Sequence, residues 1–448
     1  MTALSRRAFL GEGLAAGAVV AAGVFAAPGS GLAAAAAPAA TKDAGAKGKL
    51  MSIYLKNVCI GGQRGLNVLI ENGAVAAIGP TIAAGSAEVV DCAGALLLPS
   101  FIDAHVHLDK TRIGAPRLHH PVTATVAERA ANERLLRVKL HHDPFVYGSN
   151  LVHQFSVMGT THIRSHIDVD SDVKLRHVEA ILKVREKYRG LLDMELVAFP
   201  QSGIVKSPGV AELMGEAIRM GVDIVGGLDP EVFDNDRAGH LDRIFGLADK
   251  TGAPIDIHLH EPGEVGLATI KAIVERTKAL GMRGRVTISH GFALGQISKD
   301  QLAAILPQLV EQQISVLTSA PGSVNFPPVD ALLDAGVLYG GVSDNIQDMW
   351  SPWGNGDQLE RAMQLAYRAG YRADPPLRRC FAMITENPAK LLKLNGHSLD
   401  AIKVGMPSNL TAVPAEDVET AILQRPARLF TIKAGRFIAR NGVSLLPA

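Results

Sequence analysis

The sequence predicts an α/β protein: a parallel (β/α)8 barrel carrying a small β-sandwich domain built from both ends of the chain. Three observations lead there. Eight short apolar runs recur between residues 99 and 399, most of them separated by longer amphipathic stretches. Strand-like runs punctuated by turn signals flank this middle on both sides, in 50–98 and 400–448. No GxGxxG or Walker-type glycine-rich sequence occurs, which leaves a nucleotide-binding doubly wound sheet without support.

In chain order, Ser5-Arg6-Arg7-Ala8-Phe9-Leu10 is followed by an Ala/Gly/Val stretch and then Ala/Pro-rich sequence. Residues 1–40 therefore read as a twin-arginine-type signal peptide and linker, with export, to the periplasm, as the expectation. The apolar run is short and interrupted by glycine, which argues against a retained membrane anchor. The runs YLKNVCI, LNVLI and AVAAIG follow, with Asn72-Gly73 as a hairpin signal. The barrel strands are FIDAHVHL, THIRSHIDV, MELVAFPQ, VDIVGGLDP, PIDIHLHE, RVTISHG, ISVLTSAP and VLYGGVSDN. Helix-like runs at 173–187, 209–220, 240–251 and 267–280 separate several of them. NLTAV, ARLFTI and FIAR complete the β domain.

Bulk properties narrow the function. Lys plus Arg number 45 against 44 Asp plus Glu, a net charge of +1, so neither nucleic acid nor an anionic membrane surface is indicated as a partner. A small molecule is the expected ligand. Cys59, Cys92 and Cys380 are far apart and form no CxxC pair. Any metal must then be held by histidine and carboxylate.

Seven polar residues fall at or just after the C-terminal ends of the expected strands: His105, His107, Gln201, His258, Glu261, His290 and Asp344. In a barrel of this kind that is the active-site face. Alternate residues of a strand share a face, so His105 and His107 can both reach one metal ion.

The segment PSFIDAHVHLDKT resembles the opening of the barrel in the amidohydrolase superfamily, with Ser100 at the usual glycine position. HLDKT, IRSHIDVD, VAFPQSGI, DIHLHEPGE, VTISHG and SDNIQDMW extend the likeness through most of 51–443, in the cytosine deaminase-like form. The resemblance implies a metal set of His105, His107, His258 and Asp344 for one divalent ion, Zn2+ or Fe2+. Binuclear relatives use a carboxylated lysine from the fourth strand, which here ends GGLDP, and a mononuclear centre follows. Lys206 then reads as a solvated loop residue. By the same resemblance Glu261 shuttles protons and His290 polarises the hydrolytic water, beside the metal carboxylate Asp344. Gln201, Asn345 and Trp350 would bind the ring. His162, His166 and His260 are assigned packing or supporting roles. Barrels of this family usually assemble as oligomers.

The implied activity is hydrolytic deamination of cytosine or a cytosine-like cyclic amidine, releasing ammonia by attack of metal-bound hydroxide. Two departures bear on the substrate. Asn345 stands where cytosine-specific enzymes carry a second carboxylate, and SAPGSVNFPPVD after the seventh strand is unlike the family loop. An N-substituted triazine of the ammelide kind is accordingly the alternative. A ring-opening hydantoinase or dihydroorotase-like hydrolase would need the missing lysine, and a catalytically silent metal-binding protein would not need every catalytic residue retained.

Overall fold

The computed structural model describes residues 51–121 and 125–448. The expected signal segment lies outside them. Eight strands form one parallel sheet in strict chain order: Phe101–Val106, Thr160–Asp168, Asp193–Phe199, Ile224–Leu228, Ile255–Leu259, Val286–His290, Ser315–Thr318 and Tyr339–Gly341. They coincide with the eight apolar runs. Strands buried on both faces read as nearly continuous hydrophobic sequence, which is why these runs were visible. The sheet closes on itself where Val106 bridges Asp344, with the Asp344 amide donating to the His105 carbonyl at 2.9 Å.

Helices cover the outside. Asp236 caps Arg237–Thr251 through the Gly239 amide, and Gly252, at φ 74°, ends it. Ser298 and Gln301 make a capping box for Lys299–Glu311. Two helices, Val126–Lys139 and Pro144–Val157, fill the long connection between the first two barrel strands. Three more, Gln358–Arg368, Asp374–Ala382 and Glu386–Leu391, follow the eighth strand.

The second sheet joins the two ends of the described chain. Its nine strands run from Ile53 to Pro99 and from Leu410 to Ser444, and the halves meet where Leu96–Pro99 pairs antiparallel with Leu410–Val413. Its own core includes Leu55, Val68, Ile70, Leu97 and Ile432. Asn72 and Gly73, at φ 52° and 82°, turn the chain between two of these strands as the sequence suggested. The C-terminal part also contains a helix, Val418–Gln424, capped by Asp417. Two turns are too short to show helical periodicity. Ser100 needs no glycine conformation, and its hydroxyl bonds that of Thr161 at 2.6 Å. The three cysteines are buried thiols, and burial pushes Cys92 and Cys380 up to about 12.

Below the barrel, His397 stacks edge-on against His162 at 4.8 Å, while Lys433 of the second sheet donates to His162 and Asp193. Burial, and then the neighbouring His162, lower the His397 imidazole to about 3. A folded-state value below the ordinary 6.5 means that stability is complete above pH 6.5 and is lost as pH falls towards 3, by up to about 1.4 kcal/mol per pH unit. Urea unfolding at pH 7 and pH 4.5 should show a smaller loss for His397→Gln than for the parent chain. Equal losses would remove His397 from this account.

Candidate active site

The barrel mouth brings together the four residues expected to hold metal. His105 and His107 leave the first strand, His258 the fifth, and Asp344 follows the eighth. The His105 and His107 Nε2 atoms lie 3.5 and 3.4 Å from Asp344 Oδ1, and the His107 and His258 Nε2 atoms are 3.3 Å apart. A tetrahedral zinc-sized ion with bonds of about 2.1 Å has edges of roughly 3.4 Å. Three of the six donor pairs are therefore spaced as such an ion requires, and all four donors lie within 4.8 Å of one another. His105 Nε2 is fully buried yet has no hydrogen-bond partner, the mark of a lone pair kept for something else.

The ring of His105 is fixed from behind. The Ser289 hydroxyl donates to Asp256 at 2.6 Å and so accepts from His105 Nδ1 at 2.8 Å. Arg164 holds Asp256 in turn at 3.0 Å. This chain places the His105 proton on Nδ1 and leaves Nε2 free to ligate. Beneath it, His166 packs 4.0 Å from the His105 ring and 4.4 Å from His258. Burial and the surrounding imidazoles hold His166 well below its ordinary value, hence neutral. Burial opposes charge on Asp344 too, but the adjacent imidazoles keep its carboxyl well below the carboxylate range.

Backbone strain concentrates at the same rim. His290, Asp344 and Asp229, all at strand ends, have φ of 71°, 64° and 35°, a region that disfavours side chains bearing a Cβ. The strain turns each side chain into the mouth or towards its partner there.

The sequence placed a proton-shuttling carboxylate at Glu261, and the structure gives that carboxylate other partners. Glu261 does not line the cavity. Its Oε1 accepts the Glu231 and Val232 amides at 2.6 and 3.1 Å, and its Oε2 takes the Thr269 hydroxyl. A carboxylate three residues past His258 lies beyond the strand end, where the chain turns into the helix Gly263–Ala279, and unpaired amides of the fourth loop are nearer than the metal donors. His260, assigned a packing or supporting role from the sequence, lines the cavity. Asp229 grips it twice, from His260 Nδ1 at 2.8 Å and from its amide at 2.6 Å. Burial opposes its protonation, but Asp229 outweighs that and raises the imidazole above its ordinary value. His290 stacks on it at 4.3 Å, and burial with the nearby His260 charge keeps His290 well below its ordinary value. The cavity is thus faced by one imidazole that favours its proton and one that resists it.

Gln201, Asn345 and Trp350 all line this cavity of about 280 Å3. Lys110, in HLDKT, lines it as well. Its Nζ donates to Gln201 Oε1 at 2.8 Å and pairs with Asp168 at 3.0 Å and Glu133 at 3.5 Å. The Gln201 oxygen is therefore occupied, while its buried Nε2 has no partner. Glu133, on the helix Val126–Lys139, also accepts the Trp350 indole N–H. Burial pushes its carboxyl up to about 8, against the pull of Lys110 and with the help of Asp168. The Asn345 amide nitrogen is bound to Asp348 Oδ2 at 2.5 Å. Lys206 is remote in role, donating to the Phe233 carbonyl on an exposed loop. Position alone, one turn past an HxH strand end, is the signal that would have found Lys110. Asp229 closes the fourth strand in GGLDP and carried the same signal.

The profile of the amidohydrolase family matches residues 88–439. The N-isopropylammelide isopropyl amidohydrolase of Pseudomonas sp. (strain ADP) is 32% identical over 369 residues, covering 80% of this chain and 89% of that one. The crystal structure of N-isopropylammelide isopropylaminohydrolase from Burkholderia multivorans superposes with a TM-score of 0.84 at 36% identity, over 88% of this chain and 100% of that one. The 5-methylcytosine deaminase of Klebsiella pneumoniae, liganded with phosphonocytosine, superposes with a TM-score of 0.75 at 25% identity, over 89% and 100%.

Proposed function

Because the chain belongs to the amidohydrolase family, we propose that it hydrolyses an exocyclic C–N bond on an oxo-substituted, six-membered nitrogen heterocycle, an N-substituted triazine of the ammelide kind foremost. The observation that carries this choice is the Lys110–Gln201 pair. With Gln201 Oε1 already accepting from Lys110, the atom this pair leaves without a partner is Gln201 Nε2, a donor. Ring carbonyl oxygens satisfy donors. The likeness to two N-isopropylammelide hydrolases supports the same class.

His105, His107, His258 and Asp344 would hold one divalent ion, zinc or ferrous iron. When bound, that ion supplies Lewis acidity and lowers the pKa of a coordinated water. No lysine side chain ends the fourth strand, which stops at Leu228, and this supports a single ion. The remaining chemistry belongs to the chain. Neutral His290 takes a proton from the attacking water, whose oxygen bonds to the ring carbon. His260, held protonated by Asp229, gives its Nε2 proton to the nitrogen that leaves. The ring keeps the oxygen and an amine departs. Trp350, fixed by Glu133, lies along the ring face, with the Lys110 ammonium 5.3 Å from the indole centroid.

Hydrolytic deamination of a cytosine-like ring is the second reading, favoured by the likeness to 5-methylcytosine deaminase. A release assay for ammonia and alkylamines across pyrimidines, pterins and N-alkylated oxo-triazines, with metal counted on the same sample, separates the two. Alkylamine from an oxo-triazine is the expected result. Ammonia from cytosine-like rings alone would replace it with the second reading, and two metals per chain would overturn the single-ion centre.

A further inference from the structure

Beside the chamber that holds the metal residues lies a second and larger hollow of about 1010 Å3. The two share Asp344, Asn345 and Trp350, together with Ser319, Pro321 and Ser323 of the seventh loop. The inner chamber, about 280 Å3, is small beside the roughly 300–1,000 Å3 of sites that take drug-sized molecules, and suits a single ring. The outer one lies at the top of that range. Nothing in the proposed chemistry uses it.

Its walls are mixed, with three aromatic rings among polar side chains that include Arg129, Arg361 and Arg368. Both tryptophans of the chain, Trp350 and Trp353, line it, as does Tyr367. Trp353 and Tyr367 are 76% and 81% exposed. The walls are also held in place. The Asp348 carboxylate accepts the Trp350 and Ser351 amides at 2.7 and 2.9 Å, and the Gln347 amide donates to the Trp353 carbonyl at 2.9 Å. Opposite, Arg368 ties its helix to the seventh loop through the Gly322 and Val324 carbonyls at 2.9 and 2.7 Å. A groove fixed in this way is ready for a ligand before one arrives.

We propose that this aromatic groove is a leaving-group subsite, and that the physiological substrate carries a large apolar, preferably aromatic, substituent on the nitrogen that departs. This rests on the reading of the inner chamber as the site of C–N hydrolysis. The walls that the two spaces share at Asp344, Asn345 and Trp350 select the occupant. A group attached to the leaving nitrogen emerges from the inner chamber at the metal carboxylate and runs between Trp350, Trp353 and Tyr367. An unsubstituted amine would leave the groove to water.

The test uses one oxo-triazine core with N-methyl, N-butyl and N-benzyl amines and the metal-loaded full chain, measuring amine release and, by calorimetry, equilibrium binding. The expected kcat/KM ratio of benzyl to methyl compound is at least tenfold, carried by KM, falling towards one in Trp353→Leu and Tyr367→Leu. Both side chains are largely exposed, so these variants should fold, and circular dichroism verifies it. A ratio near one in the parent chain, or one that survives both substitutions, overturns the subsite. Tighter benzyl binding that is lost in both variants, with no turnover of any compound, keeps the subsite and overturns the assigned reaction instead. If the substitutions dissociate an oligomer and leave the ratio unchanged, the groove is an interface between copies and the proposal falls.

Discussion

Asp344→Ala should lower kcat/KM by about 10⁴-fold and reduce bound metal well below one per chain, the scale seen when one member of a catalytic unit is removed. The expectation follows from the geometry of the donors. Asp344 Oδ1 faces both His105 Nε2 and His107 Nε2, at 3.5 and 3.4 Å, so its loss leaves three imidazoles clustered with no negative charge to offset an ion. Asp344 also holds a strained backbone at φ 64°, which alanine tolerates poorly. His258→Ala should behave alike in metal content without that added backbone cost. Metal analysis by plasma emission, alongside turnover, checks both. A chain lacking Asp344 that keeps one tightly held ion and its activity would sink the four-residue centre.

The second large effect separates two carboxylate and imidazole roles that are adjacent in sequence. His290→Ala and His260→Ala should each lower kcat by about 10²–10⁴-fold while metal content is kept, as expected for loss of a proton-transfer group. Glu261→Gln should retain most turnover. Glutamine can still accept the Glu231 and Val232 amides through its oxygen and meet Thr269 through its nitrogen. Glu261→Ala should instead cost about 1–3 kcal/mol of stability, because the buried Thr269 hydroxyl and two part-buried amides lose a charged acceptor. The decisive comparison is kcat for Glu261→Gln beside His260→Ala, with metal counted in each. A Glu261→Gln enzyme that is metal-replete and inactive would restore Glu261 as the proton shuttle.

The barrel was legible because parallel strands buried on both faces leave mostly apolar runs, although THIRSHIDV, with three apolar residues in nine, departs from that texture. The metal donors were legible for a related reason. Strand ends fix which side chains reach the mouth, so His105 and His107 could be placed from alternation alone. Glu261 and His260 show where such reasoning stops. One residue past a strand end, direction depends on the turn, and the turn here sends His260 inward and Glu261 to the amides of the fourth loop. Lys110 was missed because a lysine beside aspartate reads as a solvated pair until Asp168 and Glu133, from distant segments, are seen to bury it. The helix Val418–Gln424 escaped because seven residues carry too little periodicity.

The bridge between Val106 and Asp344 joins the first and last staves of the barrel across most of the folded chain. Contacts so far apart in sequence form late, because the whole intervening loop must be ordered before they are rewarded. His105 and Asp344 sit on either side of that bridge, and both are ligands in the proposed centre. A bound ion would therefore act as a rivet at the seam where the cylinder is last to shut. Metal loading would then tighten a closure that the backbone already makes, and a chain deprived of metal would loosen first along this line, between its earliest and latest strands.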